Sequence, residues 1–155
     1  MSKNTVLTLW GQNQYFISEG LNNLTDDNRH NRLGPDTSSA GFLMQHMAES
    51  NFFLMHMFFG TELSPTFNTI NGAKDEGQSG SKTHILGLHG QINKLVVSTI
   101  NSLSEAELEQ EIDTFIGRMT RSACIGVLIY HATYHLGQAT LSIKKGASLA
   151  QQIAA

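Results

Sequence analysis

A chain of 155 residues, 40% of them hydrophobic, has enough apolar mass for the core of a single domain over residues 1–155 and too little length for a second full one. Ten basic against thirteen acidic side chains give a net charge of -3, so the excess positive charge on which nucleic-acid affinity depends is missing. Cys124 is the lone cysteine and cannot pair internally, and residues 1–16 lack the charged-then-apolar layout of a signal peptide. The most apolar stretch, 52–59, is interrupted by His56 and falls far short of the roughly 20 residues that span a bilayer. A soluble cytoplasmic protein with neither a nucleic-acid nor a membrane partner is expected.

Apolar residues recur at spacings of three and four, and both prolines, Pro35 and Pro65, lie in polar stretches, so the pattern predicts an all-α chain. From about Asn4 to Leu24 the residues Val6, Leu9, Trp10, Phe16, Ile17, Leu21 and Leu24 fall on one broad stripe, predicting a first helix buried along that side. A second helix is expected from the Thr37, Ser38, Ser39 cluster to Gly60, with hydroxyls to cap its first turn and a glycine to end it. Residues 61–81 are polar, glycine-rich and long for a connection, so they must cross the bundle or form a flap. A third helix follows from about Lys82 to Leu103. Ser104 and Glu107 then have the spacing of a capping box, which predicts a short helical turn before an irregular stretch from Ile112 to Thr120. The fourth helix, about Ser122 to Lys145, ends at Gly146. Four helices of roughly 20 residues suit a four-helix bundle about 30 Å long, with a long connection between the second and third.

Seven histidines in a weakly charged chain are the chemical oddity. His131 and His135 stand four residues apart on the fourth helix, a spacing that returns two imidazoles to one face and within reach of one ion. Two readings apply to such a pair: histidines bonded to backbone carbonyls, or metal ligands. Their stripe is shared with Cys124 and Leu128, which points them at the interior, where an unpaired imidazole is costly and ligation supplies a partner. A third ligand is then expected from a facing helix. His46 is the best candidate, on a line with Phe42, Ser50, Phe53 and Met57; His56 lies about 80° further round the axis and reads as structural. His30, His84 and His89 read as solvated. Three neutral histidines on a divalent ion, zinc or nickel, leave an open position for chemistry. Gln138 and Glu49, the only catalytic candidates nearby, either orient a ligand or support a ligating histidine from behind; the competing reading has Gln138 bonding across helices and Glu49 solvated. Tyr130 and Tyr134 read as packing residues and Cys124 as a small core residue, too far along the axis to ligate.

The segments QHMAESNFFLMHMFFG (45–60) and HATYHLGQ (131–138) resemble the second- and fourth-helix patterns of the DinB/YfiT-like metalloenzymes, and the resemblance spans essentially the whole chain in helix order and loop lengths. It implies the four-helix fold and metal ligands at His46, His131 and His135. Leu136 stands where the commonest family form has arginine. Members of the family include thiol S-transferases, such as those using bacillithiol, and mycothiol-dependent isomerases. Two functional readings follow. One is a metal-dependent enzyme activating a small thiol or water for S-transfer or hydrolysis of a small-molecule substrate; the other is a non-catalytic metal- or ligand-binding dimeric bundle. Phe52, Phe53, Leu54, Met55, Met57, Phe58 and Phe59 surround the second helix almost completely, so a homodimer covering its C-terminal half is expected, with the 61–81 linker, through Phe67 and Ile70, as the competing cover.

Overall fold

Ser2, Ser39, Ser81 and Thr120 each turn a hydroxyl oxygen onto a backbone N–H three residues ahead, and a long helix begins after each. In the computed structural model, which describes residues 1–63 and 65–154, these are α1 (Lys3–Asn22), α2 (Ala40–Phe59), α3 (Lys82–Ser102) and α5 (Arg121–Lys145). Two shorter helices, α4 (Glu105–Glu109) and α6 (Leu149–Ile153), are each opened by a capping box, Ser104 with Glu107 and Ser148 with Gln151. α2 ends where Gly60 enters the left-handed region at φ 68°, as its glycine suggests.

The four long helices form a bundle in which α2 packs on α3 and α5, and α1 packs on the same two. α1 and α2 therefore stand at opposite corners, and so do α3 and α5. Polar pins cross between corners: the Trp10 indole N–H donates to Asn93 at 2.9 Å, and the Asn13 amide donates to Thr133 at 2.9 Å. Two apolar clusters fill the interior. One gathers Val6, Trp10, Met55, Phe58, Ile92, Cys124 and Leu128, the other Ile17, Leu21, Met44, Met47, Ile85 and Ala132. Among the described residues no helix is long and apolar enough to cross a membrane.

Two expectations are corrected, and a third feature, the cover of α2, is seen in part. The stretch from Ile112 to Thr120 is not irregular but a hairpin of β1 (Glu111–Thr114) and β2 (Gly117–Thr120), turning through Phe115 and Ile116. Ile112 and Met119 face each other on its inner side and pack on the first cluster, while Gly117 takes the φ of 115° the turn requires. On α1 the buried stripe is narrower than the apolar residues suggest: Leu9 and Phe16 are exposed, and Asn13 is buried in their stead because Thr133 satisfies its amide. The hairpin and the linker cover much of the C-terminal half of α2 within one chain. Phe52, Leu54, Met55 and Phe58 are buried within one chain, Phe58 stacks on Phe115 of the hairpin at 5.9 Å, Phe67 of the linker folds back on the same cluster, and only Met57 is exposed in that half.

The linker is stapled along its length. Asp75 receives the Arg32 guanidinium at 3.1 Å and the Ser39 N–H at 2.6 Å; Arg29 donates to the Ser79 carbonyl at 2.7 Å. Burial raises the Asp75 pKa, but the bonds from Ser39 and Gly77 and the Arg32 charge outweigh it and hold the carboxyl below its ordinary value. These segments cross directly over Gly41, where an added Cβ would meet the Arg29 Cβ and Ser79 Oγ at 2.9 Å and the Arg29 carbonyl oxygen at 3.0 Å. Gly41→Ala is therefore expected to destabilise by about 1–3 kcal/mol, crowding outweighing the gain in helix propensity of about 1 kcal/mol. Urea denaturation checks it, and an unchanged or raised midpoint would contradict the close approach.

Candidate metal centre

α2 presents His46 and α5 presents His131 and His135, one turn apart, where the two helices pack against each other. The ring centroids lie 5.1 Å (His46 to His131), 4.8 Å (His46 to His135) and 4.6 Å (His131 to His135) apart. One nitrogen from each falls within 4.8 Å of the others, a grouping that can hold a metal ion. Bonds of about 2.1 Å at tetrahedral angles require nitrogens about 3.4 Å apart, so modest side-chain rotation closes the set.

Hydrogen bonds decide which nitrogen each ring offers. His46 Nδ1 donates to the Thr69 carbonyl at 2.7 Å, leaving Nε2 as its lone pair, with the Ser50 hydroxyl 3.3 Å away. His135 Nδ1 donates to Gln138 Oε1 at 2.7 Å, again leaving Nε2. Such outer partners fix tautomer and ring orientation in metal sites. His131 has no such partner: its Nδ1 is buried and unbonded among the described residues. Burial, then the charges of His135 and His46, lower the His131 pKa to about 4. Burial also lowers that of His135, against the Gln138 bond that raises it. Two oriented imidazoles, a third with an orphaned nitrogen, and depressed basicity make a donor set that fits a divalent ion.

Glu49 is not solvated. It is fully buried, one turn beyond His46, and its two oxygens accept from Gln45 Nε2 (2.6 Å), the backbone of Asn68 (2.9 Å) and Thr69 (2.8 Å), and the Thr69 hydroxyl (2.7 Å). Gln45 in turn accepts the Gly80 N–H at 2.7 Å. Glu49 thus holds the residue whose carbonyl orients His46, a role at one remove from the centre. Gln138 bonds to His135 on its own helix and not across helices.

His89, expected to be solvated, is buried; its Nε2 donates to the Met44 carbonyl at 2.8 Å, and burial lowers its pKa to about 4. The signal was in the spacing, since His89 lies four residues from Ile85 and three from Ile92 on the buried stripe. His84 is exposed, while His30 is half-buried in a short 3-10 turn. His56 donates to the Thr61 carbonyl at 2.6 Å at the end of α2, a structural role as its position suggests. Cys124 is a buried core residue, and burial pushes its thiol up. Tyr130 and Tyr134 are not packing residues: they are 71% and 55% exposed, stacked on each other beside the histidines. Leu136, half-buried, lies over Gly20 of α1 and turns away from the centre.

A sequence model of the DinB superfamily matches residues 14–139. Among solved structures, a DinB-like protein from Bacillus cereus ATCC 10987 is 20% identical, with a TM-score of 0.76 over 90% of this chain and 89% of its own. YfiT from Bacillus subtilis, called a probable metal-dependent hydrolase with an unusual four-helix bundle topology, is 11% identical, with a TM-score of 0.64 over 99% of this chain and 90% of its own. At these identities the likeness is one of fold. Among curated proteins none matches.

Proposed function

From the premise that this chain belongs to the DinB superfamily, we propose that it is a divalent-metal-dependent enzyme in which His46, His131 and His135 hold one ion, zinc or nickel, for S-transfer or hydrolysis. The convergence of three imidazoles, two with their Nδ1 already committed and one with an orphaned buried nitrogen, carries this reading. YfiT, of the same fold, is called a probable metal-dependent hydrolase, which supports the hydrolytic arm. When bound, such an ion supplies a Lewis acid that makes a small thiol or water a better nucleophile at neutral pH. The chain's own residues do the rest. Thr69 and Gln138 keep two Nε2 lone pairs aimed inward, Glu49 keeps Thr69 in place, and depressed basicity keeps His131 and His135 unprotonated at neutral pH.

Titration of chelator-stripped protein with zinc and nickel, followed by a screen of low-molecular-weight thiols against electrophiles and of hydrolysable esters and amides, tests the proposal. One equivalent of tightly bound metal with metal-dependent turnover is the expected result. Stoichiometric metal with no turnover in either screen favours a binding module, and no metal binding overturns the reading.

The Glu49 staple makes a separate prediction. Glu49→Ala frees Thr69 and hence the His46 ring, so metal affinity is expected to fall about 10–100-fold, the usual loss when an outer partner of a ligand is removed. Amide hydrogen exchange at Asn68 and Thr69 is expected to accelerate in the same variant. Slow exchange there, with unchanged affinity, would show that the staple does not position His46.

A further inference from the structure

The three histidines stand between two unlike cavities. On the His135 side is a pocket of about 350 Å³ with a mixed lining, Thr37, Ser38, Gln138 and Ser142 alongside Leu33 and Leu43. On the His131 side is a groove of about 610 Å³ between the hairpin tip and α5, walled by Phe115, Ile116, Met119, Val127 and Leu54, with His131 at one end. No charged side chain lines this groove among the described residues; apart from His131, the phenol of Tyr130 at its edge is the one side-chain polar group. An ionic or strongly hydrated group would lose water here and find no partner, whereas hydrocarbon gains by leaving water. The volume is within the roughly 300–1,000 Å³ of small-molecule sites. Phe115 and Ile116 are 61% and 49% exposed at the hairpin tip, so apolar surface lines the way in.

We propose that this groove seats an uncharged, apolar arm of the substrate, its reacting group at the His131 end. What reacts there rests on the metal-dependent reading above; the groove as an apolar binding site does not. Gly126 lies in the groove on α5, and a Cβ built on it meets nothing within 4 Å. A side chain at 126 therefore enters the groove with room for its Cβ and without backbone strain. Gly137, equally open, lies on α5 in a different groove beside Phe16 and Leu136.

The test uses two probes. Metal-free protein is titrated with N-phenyl-1-naphthylamine, an uncharged fluorophore. Saturable binding is expected in the wild type, weakened at least tenfold by Gly126→Phe and unaffected by Gly137→Phe. Absence of saturable binding, equal binding by Gly126→Phe, or loss through Gly137→Phe would overturn the proposal; Gly126→Leu replaces Gly126→Phe if the larger variant does not fold by circular dichroism. Zinc-loaded protein is then titrated with alkyl hydroxamates from acetyl to octanoyl. Affinity is expected to rise about fourfold per methylene in the wild type and to stay level in Gly126→Phe. A level series in the wild type overturns the proposal. Naphthylamine binding that responds to Gly126→Phe in a protein that binds no zinc supports the groove and overturns the metal reading, so the two failures are distinguishable.

Discussion

Replacing His131 with alanine is expected to weaken zinc or nickel binding by about a hundred- to a thousandfold while changing the stability of the metal-free fold by less than about 1 kcal/mol. A four-ligand zinc site is worth about 10–16 kcal/mol, so one ligand in four carries about 2.5–4 kcal/mol. The second half follows from the geometry. In the metal-free protein His131 has a buried Nδ1 with no partner and faces two other imidazoles across 5.1 and 4.6 Å, so alanine removes a desolvation cost together with some packing. His89→Ala is the counter-case. It deletes a ring that donates into the core at Met44, and it is expected to cost about 2–4 kcal/mol of stability with no effect on metal. Calorimetric titration of chelator-stripped variants, paired with urea denaturation, separates the two classes of histidine. Unchanged affinity in His131→Ala would assign the centre to other ligands.

The metal-free protein is expected to lose about 3–4 kcal/mol of stability between pH 7.5 and pH 4.5. His89 and His131 each have a folded pKa of about 4 against an ordinary value of 6.5, burial being the first cause in both. Between those limits the unfolded chain binds protons that the folded chain does not, so stability rises with pH across the window. The contribution is complete above pH 6.5 and is lost as pH falls towards 4. For fully buried His89 the whole shift corresponds to about 3 kcal/mol; the more accessible His131 adds less because water screens it. The depressed Asp75 carboxyl acts with the same sign but at lower pH, below its ordinary 3.8. Urea denaturation in chelator across this range measures the slope, and His89→Gln, which keeps a donor for Met44 without a titrating ring, is expected to remove at least half of it. Parallel slopes in the two proteins would show that His89 does not carry the effect.

The parts of this molecule legible from sequence were those decided locally. Ser39, Gly60 and the Ser104 and Glu107 pair end or begin helices through atoms within four residues of each other. The i, i+4 spacing of His131 and His135, and the place of His46 on a facing helix, brought out the three residues the fold gathers. What escaped was decided at long range. Glu49 reads as solvated because carboxylates usually are, and only the return of residues 68 and 69 onto α2 supplies the donors that let it be buried. Leu9 and Phe16 read as core, yet Asn13 takes the interior position through a hydroxyl 120 residues away. The groove beside His131 depends on a hairpin whose four-residue strands are too short for alternation to show.

The diagonal placement of α1 opposite α2, and of α3 opposite α5, has a consequence for how the chain comes into being. The substantial contacts among the four long helices all join residues 3–59 to residues 82–145, so neither half contains a packed pair of long helices. During synthesis no pair of long helices can dock until α3 has begun to leave the ribosome, and α5 must follow before the last two interfaces close. The first half emerges as two helices, the second apolar almost all round, with nothing to bury them, a state that invites chaperones. Contacts this distant in sequence also slow folding relative to an up-and-down bundle, whose neighbours follow one another along the chain. Severed in the linker, the two pieces would be unfolded apart and folded together, each supplying the other's missing layer.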